Sequence, residues 1–305
     1  MTVGLNLSGT SSLEDMSAIV IASAVANVEP AGPVAALVHQ VPISQGEKQV
    51  NLPFFGRQEA TSLTEGVSIP EPQQAGVAVR NLTASEHGIL SFVSKKLERQ
   101  NNESILSTVG MMQGNAVGRL RDTDVIALFA SVSKTIGAAG TGNDLEDIAG
   151  AVSYLLTDND AVDGGDVTKF GPAPGTINIA IHPEQLRRLA TASIPLSSAG
   201  AVGSTLAPSG LSEQIIKQYW RGNDPLFGSP IWVDGNIARD GGGDSIGCAF
   251  VEMAFSLAVA EEIDSNDDTD IRLRGTEIVT VAEWGEFENV DTWATQIIGE
   301  TLAKT

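Results

Sequence analysis

Cysteine is almost absent from this sequence, and its absence limits how the fold can be held together. The 305 residues include one cysteine, Cys248, so the chain can neither form an internal disulfide nor supply the several thiolates of a structural zinc site. Cys248 lies in an apolar stretch and is predicted to be a small buried residue rather than a nucleophile. The fold must therefore depend on an apolar core, and a chain of this length with 42% hydrophobic residues can build one.

Basic residues are scarce as well. Eighteen Lys and Arg stand against 38 Asp and Glu, which gives a net charge of −20 at pH 7. A surface this acidic repels polyanions, so sequence-specific nucleic-acid binding is not expected. No basic residue precedes Lys48, and the longest apolar run, residues 16–28, is too short to cross a bilayer. These features predict a cytoplasmic protein with neither a targeting peptide nor a membrane span.

Two motifs of enzymes occur only in part. Residues 243–247 match the G-x-S-x-G pattern of a nucleophile elbow, but all three histidines precede Ser245, whereas that fold places its histidine after the serine. Residues 137–144 have the glycine spacing of a phosphate-binding loop, yet Asn143 and Asp144 stand where lysine and a hydroxyl residue are needed. Both stretches are predicted to be glycine-rich loops without catalytic residues.

Metal ligands are equally incomplete. Acidic and amide side chains alternate over residues 264–270 like the opening of a calcium loop, but Thr269 replaces the loop's glycine and Gly275 its bidentate glutamate. A solvated acidic turn is therefore expected, and we predict no metal and no cofactor. A hydrolase that uses two carboxylates distant in sequence stays open as an alternative, since such an acid–base pair leaves no local signature.

The first part of the chain reads as an arm followed by a hairpin. Ser12 can cap a helix over residues 12–27, and prolines at positions 30, 33 and 42 keep the chain extended afterwards. Over residues 49–83, apolar positions alternate on both sides of a turn-rich break at residues 70–76. This pattern predicts a long, exposed hairpin.

A long helix is predicted over residues 103–128. Its expected apolar face consists of Ile105, Val109, Met112, Ala116 and Leu120. The same helix carries Gly110, Gly114 and Gly118, each of which costs a helix about 0.5–1 kcal/mol relative to alanine. Either another backbone packs closely along this glycine stripe, or the helix must bend between two states.

The second half of the chain alternates between helices and strands. Helices are predicted over residues 144–157, capped by Asn143 or Asp144, and from Pro183 through residue 190. Strands are predicted over residues 176–181, 230–234 and 276–284, and a surface loop is predicted over residues 191–210.

The order of these elements resembles that of the major capsid protein of tailed bacteriophages, whose fold is shared with encapsulin shells. Phe54-Phe55 with residues 64–70 resembles the outgoing limb of the family's extended loop, and residues 77–96 resemble the returning limb. Residues 103–128 resemble its spine helix, and residues 145–156 and 176–189 resemble the helix, strand and His-Pro helix of its axial domain. Residues 226–233 resemble the next strand, and residues 251–292 the return to the peripheral domain.

The resemblance implies an α+β phage-capsid (Johnson) fold. Its parts would be an N-terminal arm (1–50), an extended β-hairpin loop (51–90), a peripheral domain with the spine helix (91–141), a mixed α/β axial domain (142–250) and a return to the peripheral domain (251–305). It also implies a structural protein of the virion rather than an enzyme, assembled in the host cytoplasm as hexamers and pentamers of an icosahedral shell around double-stranded DNA.

Partners implied by the resemblance are other copies of the chain, a scaffolding protein, a portal and decoration proteins, with DNA contacted only non-specifically and no membrane. The residues expected to mediate assembly are Phe54, Phe55, Glu65, Gly66, Val67, Ile69, Val77, Val79, Arg80, Gly110, Gly114 and Gly118. An encapsulin-like cellular shell protein is the second alternative, because its subunit has the same fold.

Overall fold

A computed structural model of the chain describes residues 32–58, 60, 62–66, 76–100, 105–157, 170–193 and 225–301. The predicted helix over residues 12–27 lies outside the described residues. Four α-helices occur in the described part of the chain: α1 (Lys95–Gln100), α2 (Ile105–Ala127), α3 (Leu145–Leu156) and α4 (Pro183–Ser193). The strands are β1 (His39–Pro42), β2 (Gln49–Phe55), β3 (Val77–Thr83), β4 (Ser85–Ser94), β5 (Thr135–Gly137), β6 (Ile177–Ile181), β7 (Ile231–Val233), β8 (Asp244–Val251), β9 (Phe255–Asp270), β10 (Gly275–Glu288) and β11 (Ala294–Glu300).

A five-stranded mixed sheet forms the centre of the subunit, in the order β5-β11-β8-β6-β7. Nearly every residue of β6 and β8 is buried, which explains why these strands are continuous apolar runs rather than alternating ones. The rings of Phe129, Phe250 and Phe255 pack together beside this sheet. Cys248 in β8 is fully buried and free, as predicted.

A four-stranded sheet, in the order β1-β9-β10-β4, extends from the same core. Its long hairpin of β9 and β10 pairs from Phe255 opposite Glu288 to Asp270 opposite Gly275. Strand β1 runs parallel to β9 over only four residues. Residues 34–43, which belong to the predicted arm, are therefore anchored in the body of the subunit, and Val34 and Val38 are part of its core.

Helix α2 lies across this second sheet, as the sequence predicts, but its buried face differs from the expected one. Met112 and Leu120 are exposed, whereas Gln113 and Val117 are buried. The Gln113 amide donates to the Ile278 carbonyl at 3.1 Å and accepts from the Thr280 hydroxyl at 2.9 Å. The polar residue Gln113 thus lies on the buried face of α2, whereas the apolar residues Met112 and Leu120 lie on its exposed side.

Helix α3 begins where the sequence predicts, and Asp144 is its cap. The Asp144 carboxylate accepts hydrogen bonds from the N–H groups of Glu146 and Asp147, while the Asp147 carboxylate accepts from the N–H of Asp144. This reciprocal arrangement is a capping box, which satisfies N–H groups that the first turn leaves without partners. Helix α4 starts at Pro183 as expected but continues to Ser193.

Three further predictions are corrected by the structure. The acidic residues 264–270 form the end of strand β9 rather than a turn, because they pair with β10 along their whole length. Residues 191–193 belong to α4 rather than to a loop. The segment 77–96 is not one returning limb, since β3 pairs with β2 while β4 joins the four-stranded sheet beside β10.

Candidate assembly surfaces

Strands β2 and β3 form a separate antiparallel hairpin with one face on the body and one face in solvent. Their register places Phe55 opposite Val77 and Pro53 opposite Val79. Since successive side chains of a strand point to opposite faces, these four residues share the outer face. Phe55 is 70% exposed and Val79 is 53% exposed. The hairpin therefore presents, at Pro53, Phe55, Val77 and Val79, an apolar surface that none of the described residues covers.

The inner face of the hairpin fixes its position. Phe54 packs in a small cluster with Ala78, Phe170 and Val290. The Arg80 guanidinium donates from Nε to the Asn289 carbonyl at 2.9 Å. Phe54 and Arg80, both predicted to mediate assembly, thus anchor the hairpin within the subunit, while Phe55, Val77 and Val79 face outwards.

Glu65 and Gly66 are the other predicted hairpin residues that the structure describes. They form an exposed turn, and Gly66 has a φ of 82°, a left-handed conformation that favours glycine. Val67 and Ile69 lie outside the described residues.

The glycine stripe of α2 is open in the subunit. A Cβ placed on Gly114 or Gly118 would meet no described atom within 4 Å, and one on Gly110 would meet only the Ser265 hydroxyl, at 3.8 Å. Within the described residues no other backbone packs closely along this stripe, and close packing of another backbone and bending of the helix both stay predictions. Met111, Met112 and Leu120 are exposed, although the sequence pattern had placed Met112 and Leu120 on the apolar face of the helix.

The serine of the G-x-S-x-G motif does not lie on an exposed elbow. Ser245 is buried near the start of strand β8, where its carbonyl accepts a hydrogen bond from the Gln185 amide at 3.0 Å. His182 lies at the start of α4 and accepts the Glu184 N–H at Nδ1, while its Nε2 lies 3.4 Å from the Arg239 Nε. Burial and the Arg239 charge lower the pKa of His182. These hydrogen bonds stabilise the first turn of α4. The stretch predicted as a loop at residues 243–247 is, from Asp244 onward, the start of strand β8.

Two carboxylates that are distant in sequence, Asp122 and Asp234, lie close together, but they are buried beneath the backbone at Gly32. A Cβ placed on Gly32 would lie 1.9 Å from Asp122 Oδ2 and 2.2 Å from Asp234 Oδ2, so these oxygens face each other under Gly32. Asp122 accepts from the N–H of Ala35 and the amide of Asn236. Burial and the neighbouring Asp122 raise the pKa of Asp234 to about 7. Both residues are almost fully buried, so a substrate could not reach this pair.

No group of three or more His, Cys, Asp or Glu side chains in the described residues could hold a metal ion. No helix in this part of the chain is both long and apolar enough to cross a membrane.

Comparison with known proteins identifies the fold. No protein-family model and no curated protein sequence matches the chain. Among solved structures, it resembles the capsid of Ralstonia phage GP4, with a TM-score of 0.63, 12% identity and coverage of 89% of each chain. It also resembles the capsid of cyanophage P-SCSP1u, with a TM-score of 0.58, 14% identity and coverage of 86% of each chain. The capsid of a native GTA particle gives a TM-score of 0.63 at 8% identity, over 89% of this chain and 91% of that one.

These matches span 86–89% of this chain and 86–91% of the other chains, so they concern the architecture of the whole subunit. The sequence-based expectation of a mixed α+β capsid fold is confirmed. The chain therefore has the fold of the major capsid proteins of tailed phages.

Proposed function

We propose that the protein is a major capsid protein, which assembles as hexamers and pentamers into an icosahedral shell around double-stranded DNA. The observation that carries this proposal is the hairpin of β2 and β3, fixed to the body on one face and apolar on the other. A free subunit leaves this apolar surface in water, where it costs solvation free energy, so a protein partner is needed to cover it. A second copy of the chain is the partner that the capsid fold supports.

The parts of the fold are assigned accordingly. The peripheral domain (91–141 with 251–305) is assigned α2 as its spine together with the long strands β9 and β10, and the axial domain (142–250) is assigned α3, α4 and the strands β6, β7 and β8. The other two strands of the five-stranded sheet, β5 and β11, come from the ranges on either side of the axial domain. The hairpin is the extended loop (51–90), and residues 1–50 include the arm. In this arrangement Phe55, Val77, Val79, Glu65, Gly66, Val67 and Ile69 reach a neighbouring subunit.

A structural role follows from the same arrangement, and the chain is not proposed to be an enzyme. Its net charge of −20 suits a container that holds DNA loosely, because few phosphates would be neutralised by the protein. Scaffolding, portal and decoration proteins are proposed as further partners in the host cytoplasm.

The first test is to express the full chain alone and examine it by negative-stain electron microscopy after size separation. Closed shells, tubes, or rings of six and five subunits are the expected products. A small oligomer that stays small under crowding and at raised salt, both alone and with its scaffolding protein, would contradict the proposal. A foreign cargo protein that copurifies inside the shells would indicate an encapsulin-like protein instead.

The hairpin is tested by substitution of its outer face. The double variant Phe55→Ser, Val79→Ser is expected to stay folded, because both side chains are exposed, but to lose shells. Asn81→Ser is the matched control, since Asn81 is an exposed polar residue of the same strand. Deleting residues 66–76 is expected to have the same effect as the double variant. Normal shells from either would contradict the role given to the hairpin.

We also propose that the glycine stripe lets α2 bend during assembly. Gly114 and Gly118 have room for a methyl group, so Gly→Ala at both positions should stabilise the free subunit by about 0.5–1 kcal/mol each. If α2 must bend, the same variant should stall assembly at a precursor shell. Hydrogen exchange along α2 in precursor and final shells measures this directly, and uniform protection in both states would refute bending.

A further inference from the structure

A group of positive charges lies at the distal end of the four-stranded sheet, in a chain that is otherwise strongly acidic. The exposed side chains of Lys95, Lys96 and Arg99 on α1, with Arg274 in the turn between β9 and β10, surround an open depression of about 870 Å³. Among the described residues, Glu98 is the one carboxylate that also lines it, so the four cations leave a net positive charge there. Within the part of the chain that the structure describes, no ion pair joins any of these four cations to a carboxylate. We call this group the basic corner.

Strand β9 supplies the opposite charge on the other side of the same sheet. Beyond Val259, where its pairing with β1 ends, the outer edge of β9 has no strand beside it in the described residues. This stretch carries Asp264, Asp267 and Asp268, all exposed, and none of them is paired there with a Lys or Arg. We call these three residues the acidic edge.

The sheet topology separates these two charged groups. At the distal end the strands run in the order β9, β10, β4, with Asp268 opposite Glu277 and Glu277 opposite Phe92. Helix α1 follows directly after β4, so Lys95, Lys96 and Arg99 lie beside one outer strand, while the acidic edge lies on the other and Arg274 lies in the turn at the end of the sheet. Two strand spacings of about 4.8 Å separate the outer strands. Within the described residues of one subunit, no ion pair joins the two groups.

We propose that the basic corner of one subunit binds the acidic edge of a second copy. Because the two surfaces differ, the contact is heterologous, and repeated contacts of this kind either close into a ring or propagate. The inference rests on the proposed capsid function and adds a contact to it that is independent of the hairpin. Its charges would steer subunits into one register and disfavour the alternatives that juxtapose like charges.

An apolar anchor lies between the charged groups. Ile271, at the tip of the turn, is 86% exposed, and Leu273 beside it is 40% exposed. Apolar side chains at the centre of a polar rim are the usual source of binding free energy at an interface, while the rim supplies specificity. A second copy fits this surface better than DNA does, since the chain as a whole carries a net charge of −20 and repels a polyanion.

The test uses reversal of charge in the full-length chain. The variants Lys95→Glu, Lys96→Glu and Asp267→Lys, Asp268→Lys each place like charges across the contact, and both are expected to lose shells. The fourfold variant that combines them restores the net charge of −20 and also restores attraction between copies with the signs exchanged, so it should regain assembly. Lys48→Glu, at an exposed position remote in sequence from both charged groups, is the control and should assemble normally.

Two measurements separate this inference from the proposed function. Electron microscopy scores shells, and sedimentation at low and high salt scores association of free subunits. Wild-type shells together with unimpaired reversal variants would overturn the contact and leave the capsid function standing. Association that the reversals abolish and the fourfold variant restores, without any shells, would support the contact and count against the capsid function.

Further outcomes also decide the matter. If circular dichroism shows that both reversal variants are folded and the fourfold variant still does not associate, the contact is refuted. If the lysine reversals leave association intact but abolish binding of a short DNA duplex, the basic corner is a DNA site and the proposal is again wrong.

Discussion

The central five-stranded sheet and the peripheral four-stranded sheet differ in how deeply their strands are buried. In the central sheet, β6 and β8 are buried on both faces. In the peripheral sheet, β9 is buried from Phe255 to Ala258 and then exposed at every residue from 261 to 269. The same hairpin of β9 and β10 thus begins inside the core and ends in solvent.

This difference in burial determines how much each sheet contributes to the stability of the subunit. Burial of apolar side chains supplies most of the favourable free energy of folding, about 25 cal/mol per Å². The central sheet has such burial on both sides, so the fold depends on it. The distal half of the β9–β10 hairpin has little such burial, so its exposed charges and apolar tip contribute little to folding.

The largest effect on stability is expected from a substitution in the core of the central sheet. Phe250 is fully buried between Phe129 and Phe255, with ring centroids 5.6 and 5.4 Å away. Phe250→Ala should lower the free energy of unfolding by about 3–5 kcal/mol, through lost transfer energy and the cavity left behind. Urea unfolding followed by tryptophan fluorescence measures it. Phe250→Leu is the matched control and should cost far less, and a loss below about 1 kcal/mol for the alanine variant would mean that the central sheet is not the dominant core.

A smaller effect is expected where the N-terminal segment meets both sheets. The facing carboxyl oxygens of Asp122 and Asp234 can form a hydrogen bond only if one of the two groups is protonated. The N–H groups of Val34 and Asn236 also face Asp234. The folded state therefore holds a proton that the unfolded chain releases at its ordinary pKa. The contribution of this pair to stability should be largest below about pH 4, fall as the pH rises toward about 7, and level off above it.

Asp234→Asn replaces that shared proton with an amide hydrogen. The variant should lose most of this pH dependence and gain about 1.5–3 kcal/mol relative to the wild type at pH 8, the usual range for a hydrogen bond to a charged group. Thermal unfolding from pH 4 to 8 measures both effects. Asp267→Asn, which removes an exposed carboxylate, should leave the pH dependence unchanged. Parallel profiles for Asp234→Asn and the wild type would show that the pair shares no proton.

Sequence patterns were most informative where local chemistry alone decides the structure. The cap at Asp144, the start of α4 at Pro183 and the strand around Ile179 all follow from short-range rules, and the structure confirms them. The capsid fold was predicted from the order and spacing of such elements. That order is preserved among proteins whose identity to this chain is near 12%, because topology constrains element lengths more strongly than it constrains residues.

Patterns failed where tertiary contacts override local preference. Gln113 is buried because the Ile278 carbonyl and the Thr280 hydroxyl satisfy its amide, and no helical periodicity could reveal those partners. The acidic residues 264–270 resemble a turn, yet they form a strand because β10 supplies their backbone partners. Pairing of Asp122 with Asp234 joins residues 112 positions apart, which no local spacing encodes.

The cap of α3 gives the next smaller effect. Asp144→Ala removes the acceptor of two N–H groups and one half of the capping box, which should cost about 1 kcal/mol. Chemical unfolding of the free subunit measures it. Glu146→Ala is the matched control, because Glu146 lies in the same first turn but only its backbone takes part in the cap. Equal losses in both variants would indicate helix propensity rather than capping.

The smallest effect on folding is expected at the tip of the peripheral sheet. Ile271 is apolar, but its side chain is 86% exposed and stays in water when the chain folds. Ile271→Ala should therefore change the free energy of unfolding by no more than about 0.5 kcal/mol. The same substitution should weaken association of subunits, because the methyl groups lost are the ones a second copy would cover. Unfolding of the free subunit and sedimentation at matched concentration give the two values side by side, and a loss of stability as large as that of a core residue would abolish the distinction between the sheets.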